Sequence, residues 1–501
     1  MTTRPSQKLN IAPPEVDRAW HLLIDGELVD AEHGRTLDAS NPATGQVVAQ
    51  VPAASVADVD RAVVAASAAF IRWRARPIAG RAAFVSRLAD AVEAHAEELA
   101  VIDTVDNGTP LRVMRGDARI AAEQLRYFAG LALELKGDTI PTPERGAIDY
   151  TVREPFGVVG RIVPFNHPLL FAASKLAAPL VTGNTVILKP SQQTSLSALR
   201  LGELCAEIFP PGVVNVVSGR GSEIGDHLAQ HPDVPRLALT GSVGVGRRLQ
   251  QQAADQVVKV VSLELGGKNP IIVFNDAEHH TALDGVMGGM NFAWQGQSCG
   301  STSRLYVQRD RYEQFVADLG ARIDALVVGD PLDENSDVGA IVSQSQYESV
   351  AGYIRQGIED PRVRLIAGGL GEVDASASGG WYLRPTLFAT DDDRGVPIAE
   401  EEIFGPVLVA TPFDSYDEVV ARANALPLGL TASVWTDELS TALSAVRDLE
   451  TGYVWVNASS RHIPGTPFGG VKDSGVGREE SIDELMSYTQ TKNVYIRFAP
   501  G

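Results

Sequence analysis

Apolar residues in the first third of the chain recur at three- and four-residue steps. The stretch ADVDRAVVAASAAFIRW (57–73) shows this most clearly, and the same period runs through 57–101 and 110–136, which predicts amphipathic helices. Two stretches alternate instead. AIDYTVR (147–153) and YIRF (495–498) read as strands. Neither belongs to an alternating series of strands and helices, so both read as an appendage that pairs with something, a second subunit being one choice. Residues 1–20 are polar and proline-bearing and read as a loosely held lead-in.

A different rhythm starts at Pro155. Strands at 158–165, 185–190, 213–219 and 237–241 alternate with helices at 167–181, 195–209, 223–230 and 245–254. This is the pattern of a parallel, doubly wound sheet, which binds ligands beyond the carboxyl ends of its strands. After LELGGKNP (263–270) the alternation restarts with a strand at 271–274 and a long apolar helix over 280–295. It continues through 304–308, 346–359, 419–426 and 452–457 as a second α/β domain. No short internal repeat or low-complexity tract interrupts it.

With 501 residues the chain exceeds one ordinary core and implies two or three domains. Its 44% hydrophobic and 21% charged residues are those of a globular protein. A formal net charge of -20 repels phosphate backbones and anionic lipid, which argues against nucleic-acid or membrane partners. The acidic residues are scattered, as on a solvated surface. Two cysteines, Cys205 and Cys299, are too few for a disulfide framework and fit a reducing interior. The opening MTTRPSQKLNIAPPE has no apolar signal-peptide core, and no run of about 18 apolar residues is present to span a membrane. The expectation is a cytoplasmic protein.

Cys299 lies in GQSCGS (296–301), just after a predicted helix. The flanking small residues let the backbone approach a substrate, and the cysteine's own amide could point at a developing oxyanion. A buried, inert thiol is the alternative, since reactivity depends on an ionisation that sequence does not show. Cys205, among Leu, Ala and Ile on a helix, reads as a small core residue. Glu264, in LELGGK (263–268), places a carboxylate inside an apolar strand. Burial would raise its pKa toward that of a general base; pairing with Lys268 is the competing account. Asn166, in PFNHP (164–168), is either an oxyanion donor or a helix N-cap.

The run TGSVGVG (240–246) follows a strand and opens a helix, a place where free amides hold phosphate, although the spacing is not G-x-G-x-x-G. KPSQ (189–192) could hold a ribose or could carry a solvated lysine. No metal-ligand spacing, no G-x-S-x-G elbow and no Walker A loop was found in the sequence, so no metal is expected.

These motifs, in this order, resemble the aldehyde dehydrogenase superfamily. The resemblance runs from about residue 20 to the end and also takes in EEIFGPV (401–407), WVN (455–457) and PFGGVKDSGVGRE (467–479). It implies an α/β fold: two doubly wound parallel-sheet domains, cofactor-binding and catalytic, with a small β oligomerisation appendage. The implied boundaries are 1–137 and 156–267 for the dinucleotide domain, 268–482 for the catalytic domain, and 138–155 with 483–501 for the oligomerisation strands. It further implies oxidation of a small-molecule aldehyde to an acid with NAD(P)+ through a covalent thiohemiacetal and thioester, in a homo-oligomer, dimer or tetramer.

By this resemblance Cys299 is the nucleophile, Asn166 and the Cys299 amide form the oxyanion hole, Glu264 is the base for water, and Lys175 lies on a proton path. Lys189, Gln192, Gly241, Ser242, Glu402, Phe404 and Phe165 would hold the cofactor. His167, Phe171, Ser298, Ser460, His462 and Phe468 would line the aldehyde site, with Lys472 and Gly475 in the motif that shapes its side. NAD-preferring members usually carry Glu at the position of Gln192, so NAD is expected with NADP possible. His167 stands where many members have an aromatic residue, which suits an aromatic or polar-substituted aldehyde. Two other readings compete: a coenzyme A-acylating member, which commonly lacks the glutamate at Glu264, and a catalytically retired structural relative.

Overall fold

The computed structural model describes residues 15–375 and 379–498. Most of the expected lead-in, residues 1–14, lies outside the described residues, as do the chain ends assigned to the first domain and the appendage. Val16 and Trp20, at the end of that lead-in, are buried.

The strands foreseen after Pro155 assemble into an eight-stranded sheet. Its five central strands, Val158–Ile162, Thr185–Lys189, Val214–Val216, Arg236–Gly241 and Val260–Leu265, are parallel and lie in the spatial order third, second, first, fourth, fifth. The order reverses between Val158–Ile162 and Arg236–Gly241, so a crevice opens there at the carboxyl ends. The first four of these strands are buried almost throughout, because helices cover both faces, whereas Val260–Leu265 is buried only over its last three residues. Antiparallel edges close the sheet. Leu22–Ile24 and Glu27–Val29 cap one side, and Gly475–Val476 pairs with Val260–Leu265 on the other.

A second sheet of seven strands runs Val363–Ala367, Thr386–Thr390, Val407–Phe413, Arg304–Gln308, Pro270–Val273, Thr431–Trp435, Tyr453–Val456. All its pairings are parallel except the first. The α/β class with two parallel sheets is therefore as the sequence indicates. The two alternating segments pair with each other: Ala147–Pro155 runs antiparallel to Thr489–Arg497 over nine residue pairs, and Thr139–Ile140 adds a third strand. No helix among the described residues is long and apolar enough to cross a membrane.

Several elements differ from the expectation for identifiable reasons. The helical period over 57–101 is broken into Val56–Arg74, Ile78–Ala94 and Ala96–Asn107, the first break falling at Pro77. The expected helix over 280–295 stops at Gly289. Asn291 and Gln295 take left-handed φ values of 55° each, with a single 3-10 turn, Phe292–Trp294, between them. Gly289 is packed against the Cys299 loop: a Cβ there would meet the Thr302 hydroxyl at 2.5 Å.

The Gly289→Ala variant is expected to lose about 1–3 kcal/mol by overpacking, seen as a lower urea midpoint. An unchanged midpoint would show that the loop gives way freely.

Candidate active site

A cavity of about 420 Å³ lies beyond the carboxyl ends of the first sheet, and both Cys299 and Glu264 line it. Each residue arrives by a local device. Cys299 follows the broken end of the helix described above. Its loop is held from behind by buried Asn269, whose Nδ2 donates to the Cys299 carbonyl at 2.7 Å and to the Ser301 carbonyl at 3.0 Å. The Oδ1 of Asn269 accepts from the Thr431 amide at 3.1 Å, tying the loop to the second sheet.

Glu264 occupies the penultimate position of its strand, paired to Thr240 on one side and Gly475 on the other. Neither of its buried carboxylate oxygens has a hydrogen-bond partner among the described residues. Burial, reinforced by the Glu479 carboxylate and opposed by Lys175, holds Glu264 well above the usual carboxylate range. The alternative pairing with Lys268 does not form: Lys268 Nζ donates to the Ile398 carbonyl at 2.8 Å. Burial and the neighbouring carboxylates Glu402, Glu264 and Glu480 push the Cys299 thiol up to about 12. Cys205 is buried in the first domain's core and its thiol is pushed up by burial, as expected of a packing residue.

Behind Glu264 lies a buried lattice of charge. Glu479 accepts from Arg161 at 2.7 Å and from Lys175 at 2.9 Å, and Glu484 lies 3.5 Å from the same lysine. Burial alone would raise Glu479, but Arg161 and Lys175 outweigh it and hold that carboxylate below its ordinary range. The two glutamates in turn overcome burial and keep Lys175 charged.

The expected aldehyde residues His167, Phe171, Ser298, Ser460, His462 and Phe468 all line the same cavity. Two carboxylates unseen in the sequence back its histidines. Asp117 Oδ2 lies 2.7 Å from His167 Nδ1, and Glu480 Oε2 lies 3.1 Å from His462 Nδ1. Burial lowers the His462 pKa, but Glu480 outweighs it and the net shift is upward. Trp294 also lines the cavity, with its ring 5.5 Å from that of His167. Asp117 sits on a long amphipathic helix where nothing marks it, whereas Glu479 ends the last recognisable motif.

Asn166 is buried and immediately precedes His167, but is not itself among the residues lining the cavity. It does not cap the helix Pro168–Thr182, whose N-cap is His167, and its Oδ1 has no partner among the described residues. Lys472 does not reach the cavity. Its Nζ lies 2.6 Å from Glu450 and donates to the Asn424 and Leu426 carbonyls, so it braces a loop.

The expected cofactor residues fall into two groups. Glu402 and Phe404 line a narrow cleft that shares Ser298 with the aldehyde cavity. The Phe404 ring stands edge-on to Phe165 at 5.4 Å. Glu402 accepts from the Gly267 amide at 3.1 Å, and burial raises its pKa to about 7. A side chain on Gly266 would overlap the Glu402 carboxylate, so this approach requires glycine.

The second group lies at strand ends of the first sheet. Lys189 ends its strand, is buried to a pKa of about 8 and donates only to the Pro190 carbonyl at 3.0 Å among the described residues. Exposed Gln192 accepts from the Gly221 amide at 3.4 Å. Gly241 ends the strand Arg236–Gly241, and exposed Ser242 caps the eleven-residue helix Val243–Ala253. Elsewhere, Asp60, His227 and His231 gather ligand-type atoms within 4.8 Å, a spacing missed in the sequence. The Asp60 Oδ1 lies 2.6 Å from His227 Nε2 and 3.5 Å from His231 Nε2, which accounts for the grouping as an ion-pair cluster.

Comparison with known proteins gives the same picture over the full length. The model of the aldehyde dehydrogenase family matches residues 28–494. The phenylacetaldehyde dehydrogenase of Pseudomonas fluorescens is 42% identical, over 98% of this chain and 99% of that protein. The mitochondrial aldehyde dehydrogenase of Equus caballus is also 42% identical, over 95% of each chain. The NAD+ complex of the Bacillus cereus aldehyde dehydrogenase superposes with a TM-score of 0.93 at 39% identity, over 97% of this chain and 98% of that one. With a nucleophile loop, a buried carboxylate and a nearby narrow cleft on the matching fold, the chain belongs to the aldehyde dehydrogenase family.

Proposed function

We propose that the chain oxidises an aryl-bearing aldehyde to its carboxylic acid, with Cys299 as nucleophile, Asn166 and the Cys299 amide as oxyanion donors, and Glu264 as the base. The carrying observation is that the Cys299 thiol and the unpartnered Glu264 carboxylate open into one cavity. Ionised Glu264 is a stronger base than an exposed carboxylate, because burial disfavours its charge and no protein donor among the described residues stabilises it. It takes the proton from Cys299, and the sulfur bonds to the carbonyl carbon. The carbonyl electron pair moves to oxygen, where the two donors meet it; one such donor is typically worth about 3 kcal/mol.

The NAD(P)+ ring, when bound, supplies the two-electron acceptor for the thiohemiacetal carbon. Glu402, Phe404 and Phe165 are the residues assigned to the nicotinamide end, Lys189 and Gln192 to the adenosine ribose, and Gly241 and Ser242 to a phosphate at a helix N-terminus. NAD is the first choice, as in the Bacillus cereus complex. Neutral Gln192 repels a 2′-phosphate less than a carboxylate would. The thioester left on Cys299 is then hydrolysed. Glu264 takes a proton from water, the water oxygen bonds to the acyl carbon, and the carbon–sulfur bond breaks to release acid. A glutamate at this position favours water over coenzyme A as the acyl acceptor. Lys175 and Glu479 provide the route by which Glu264 sheds its proton toward the interior.

The aryl preference rests on Phe171, Phe468 and Trp294 around the cavity and on the likeness to a phenylacetaldehyde dehydrogenase. Oligomerisation is assigned to the three-stranded sheet, whose edge strand leaves Tyr495 and Ile496 exposed. A cytoplasmic setting suits the two free cysteines, since Cys299 must stay reduced.

Cys299→Ala is expected to reduce NAD+-linked turnover to background, followed by absorbance. Glu264→Gln is expected to accumulate an acylated Cys299, seen as added intact mass; prompt acid release from that variant would remove Glu264 from its role. Because the thiol titrates far above neutrality, iodoacetamide should alkylate the cofactor-free enzyme about tenfold faster per pH unit between neutral and mildly alkaline solution; a flat profile would contradict this. Gln192→Glu should raise the NAD over NADP preference by about tenfold, or about 1.4 kcal/mol, read from the ratio of kcat/KM values.

A further inference from the structure

The aldehyde cavity is not uniformly apolar. Among its aromatic walls stands His462, on the loop between Tyr453–Val456 and Phe468, with its side chain 35% exposed. The ring lies 4.6 Å from Phe468, 6.2 Å from Trp455 and 6.5 Å from Tyr453. Its Nδ1 is engaged by Glu480, while Nε2 makes no hydrogen bond to the described residues.

Glu480 holds this arrangement at a conformational cost. Its φ is 63°, in the left-handed region that a side-chain-bearing residue seldom occupies. The conformation is fixed on both sides: the Glu480 amide donates to Glu484 Oε2 at 2.8 Å, and its carbonyl accepts from the Gly465 amide at 2.8 Å. Backbone strain maintained by several bonds is characteristic of positions where a side chain must be aimed. Here the aimed group is a carboxylate, and what it orients is the imidazole.

We infer that His462, oriented by Glu480, receives a hydroxyl group at the far end of an aromatic substrate, making a phenolic aldehyde the preferred class. This rests on the proposed aryl-aldehyde oxidation. A phenol suits the site whichever way the imidazole is protonated. Neutral His462 with its proton on Nδ1 presents Nε2 as an acceptor for the phenolic hydrogen; the imidazolium presents an N–H to the phenolic oxygen. The cavity-lining rings of Phe468, Phe171 and Trp294 would accept the aryl group itself. An unsubstituted ring would cover Nε2 without replacing the water it loses, and such an unmet polar group weakens binding. His167, backed by Asp117, shows that imidazole–carboxylate pairs recur in this cavity, but it directly follows Asn166 in the chain and its side chain is less exposed than that of His462.

The test is steady-state kinetics on the intact enzyme with NAD+, comparing phenylacetaldehyde, 4-hydroxyphenylacetaldehyde and propanal in wild type, His462→Phe and His462→Gln. Wild type should favour the hydroxylated over the unsubstituted aryl aldehyde by about tenfold in kcat/KM, with the difference in KM. In His462→Phe that ratio should fall to about one, while His462→Gln, which keeps a donor and an acceptor, should retain part of it. A wild-type ratio near one, or a ratio that survives in His462→Phe, overturns the inference. Turnover of propanal with neither aromatic aldehyde would overturn both the aryl reading and this one. Failure on all three would instead strike at aldehyde oxidation by this chain.

Discussion

The site depends on a buried carboxylate with no protein partner among the described residues. Glu264 sits near the end of a strand with no donor to either oxygen among the described residues, beside a lattice of Arg161, Lys175, Glu479 and Glu484 that is charged but turned inward. Leaving a buried acid unpaired costs several kcal/mol if it ionises, so such a group either stays protonated or acts as a strong base when it gives up its proton. The lattice limits that cost. Arg161 and Lys175 spend their charge mainly on Glu479 and soften, without cancelling, the effect of burial on Glu264. A direct ion pair with Lys268 would have lowered the acid to an ordinary, weakly basic carboxylate; the structure directs Lys268 to a backbone carbonyl instead.

The same region is built by close backbone approach. A Cβ on Gly469 would stand 2.7 Å from Glu264 Oε1, and one on Gly266 would overlap Glu402. Non-glycine residues are also held in the left-handed region around the site, at Phe404, Ser460 and Glu480 with φ of 54°, 51° and 63°. Such strain persists only where the surroundings over-determine it. Asn269 is one of those surroundings: it joins the Cys299 loop to the strand Thr431–Trp435 of the second sheet, so the sulfur's position follows from how the loop is tied to that sheet rather than from the loop alone.

Much of this was legible in the sequence where local chemistry fixes local structure. The βα alternation after Pro155 indicated a parallel, doubly wound sheet, though not its strand order, because buried strands and amphipathic helices carry different periods. Cys299, Glu264 and the six aldehyde residues fall on one cavity, and ordered motifs were enough to name them. What the sequence did not disclose is pairing across long separations. Asp117 meets His167 from fifty residues away, and Glu480 meets His462 across the chain's last motif. The helix expected over 280–295 failed because apolar composition continued past the point where Gly289 had to pack against Thr302. Lys472 stood in a recognisable motif yet braces a loop, so membership of a motif did not fix the direction of its side chain.

The central claim concerns the protonation of one buried acid, and infrared difference spectroscopy measures it directly. A pH titration of the cofactor-free enzyme, with Glu264→Gln as the blank, should show the carbonyl stretch of a protonated carboxyl persisting well above the pH at which an ordinary carboxyl has bleached. If the Glu264-dependent signal is already that of an ionised carboxylate at neutral pH, with its transition in the ordinary acidic range, the account of the base is wrong.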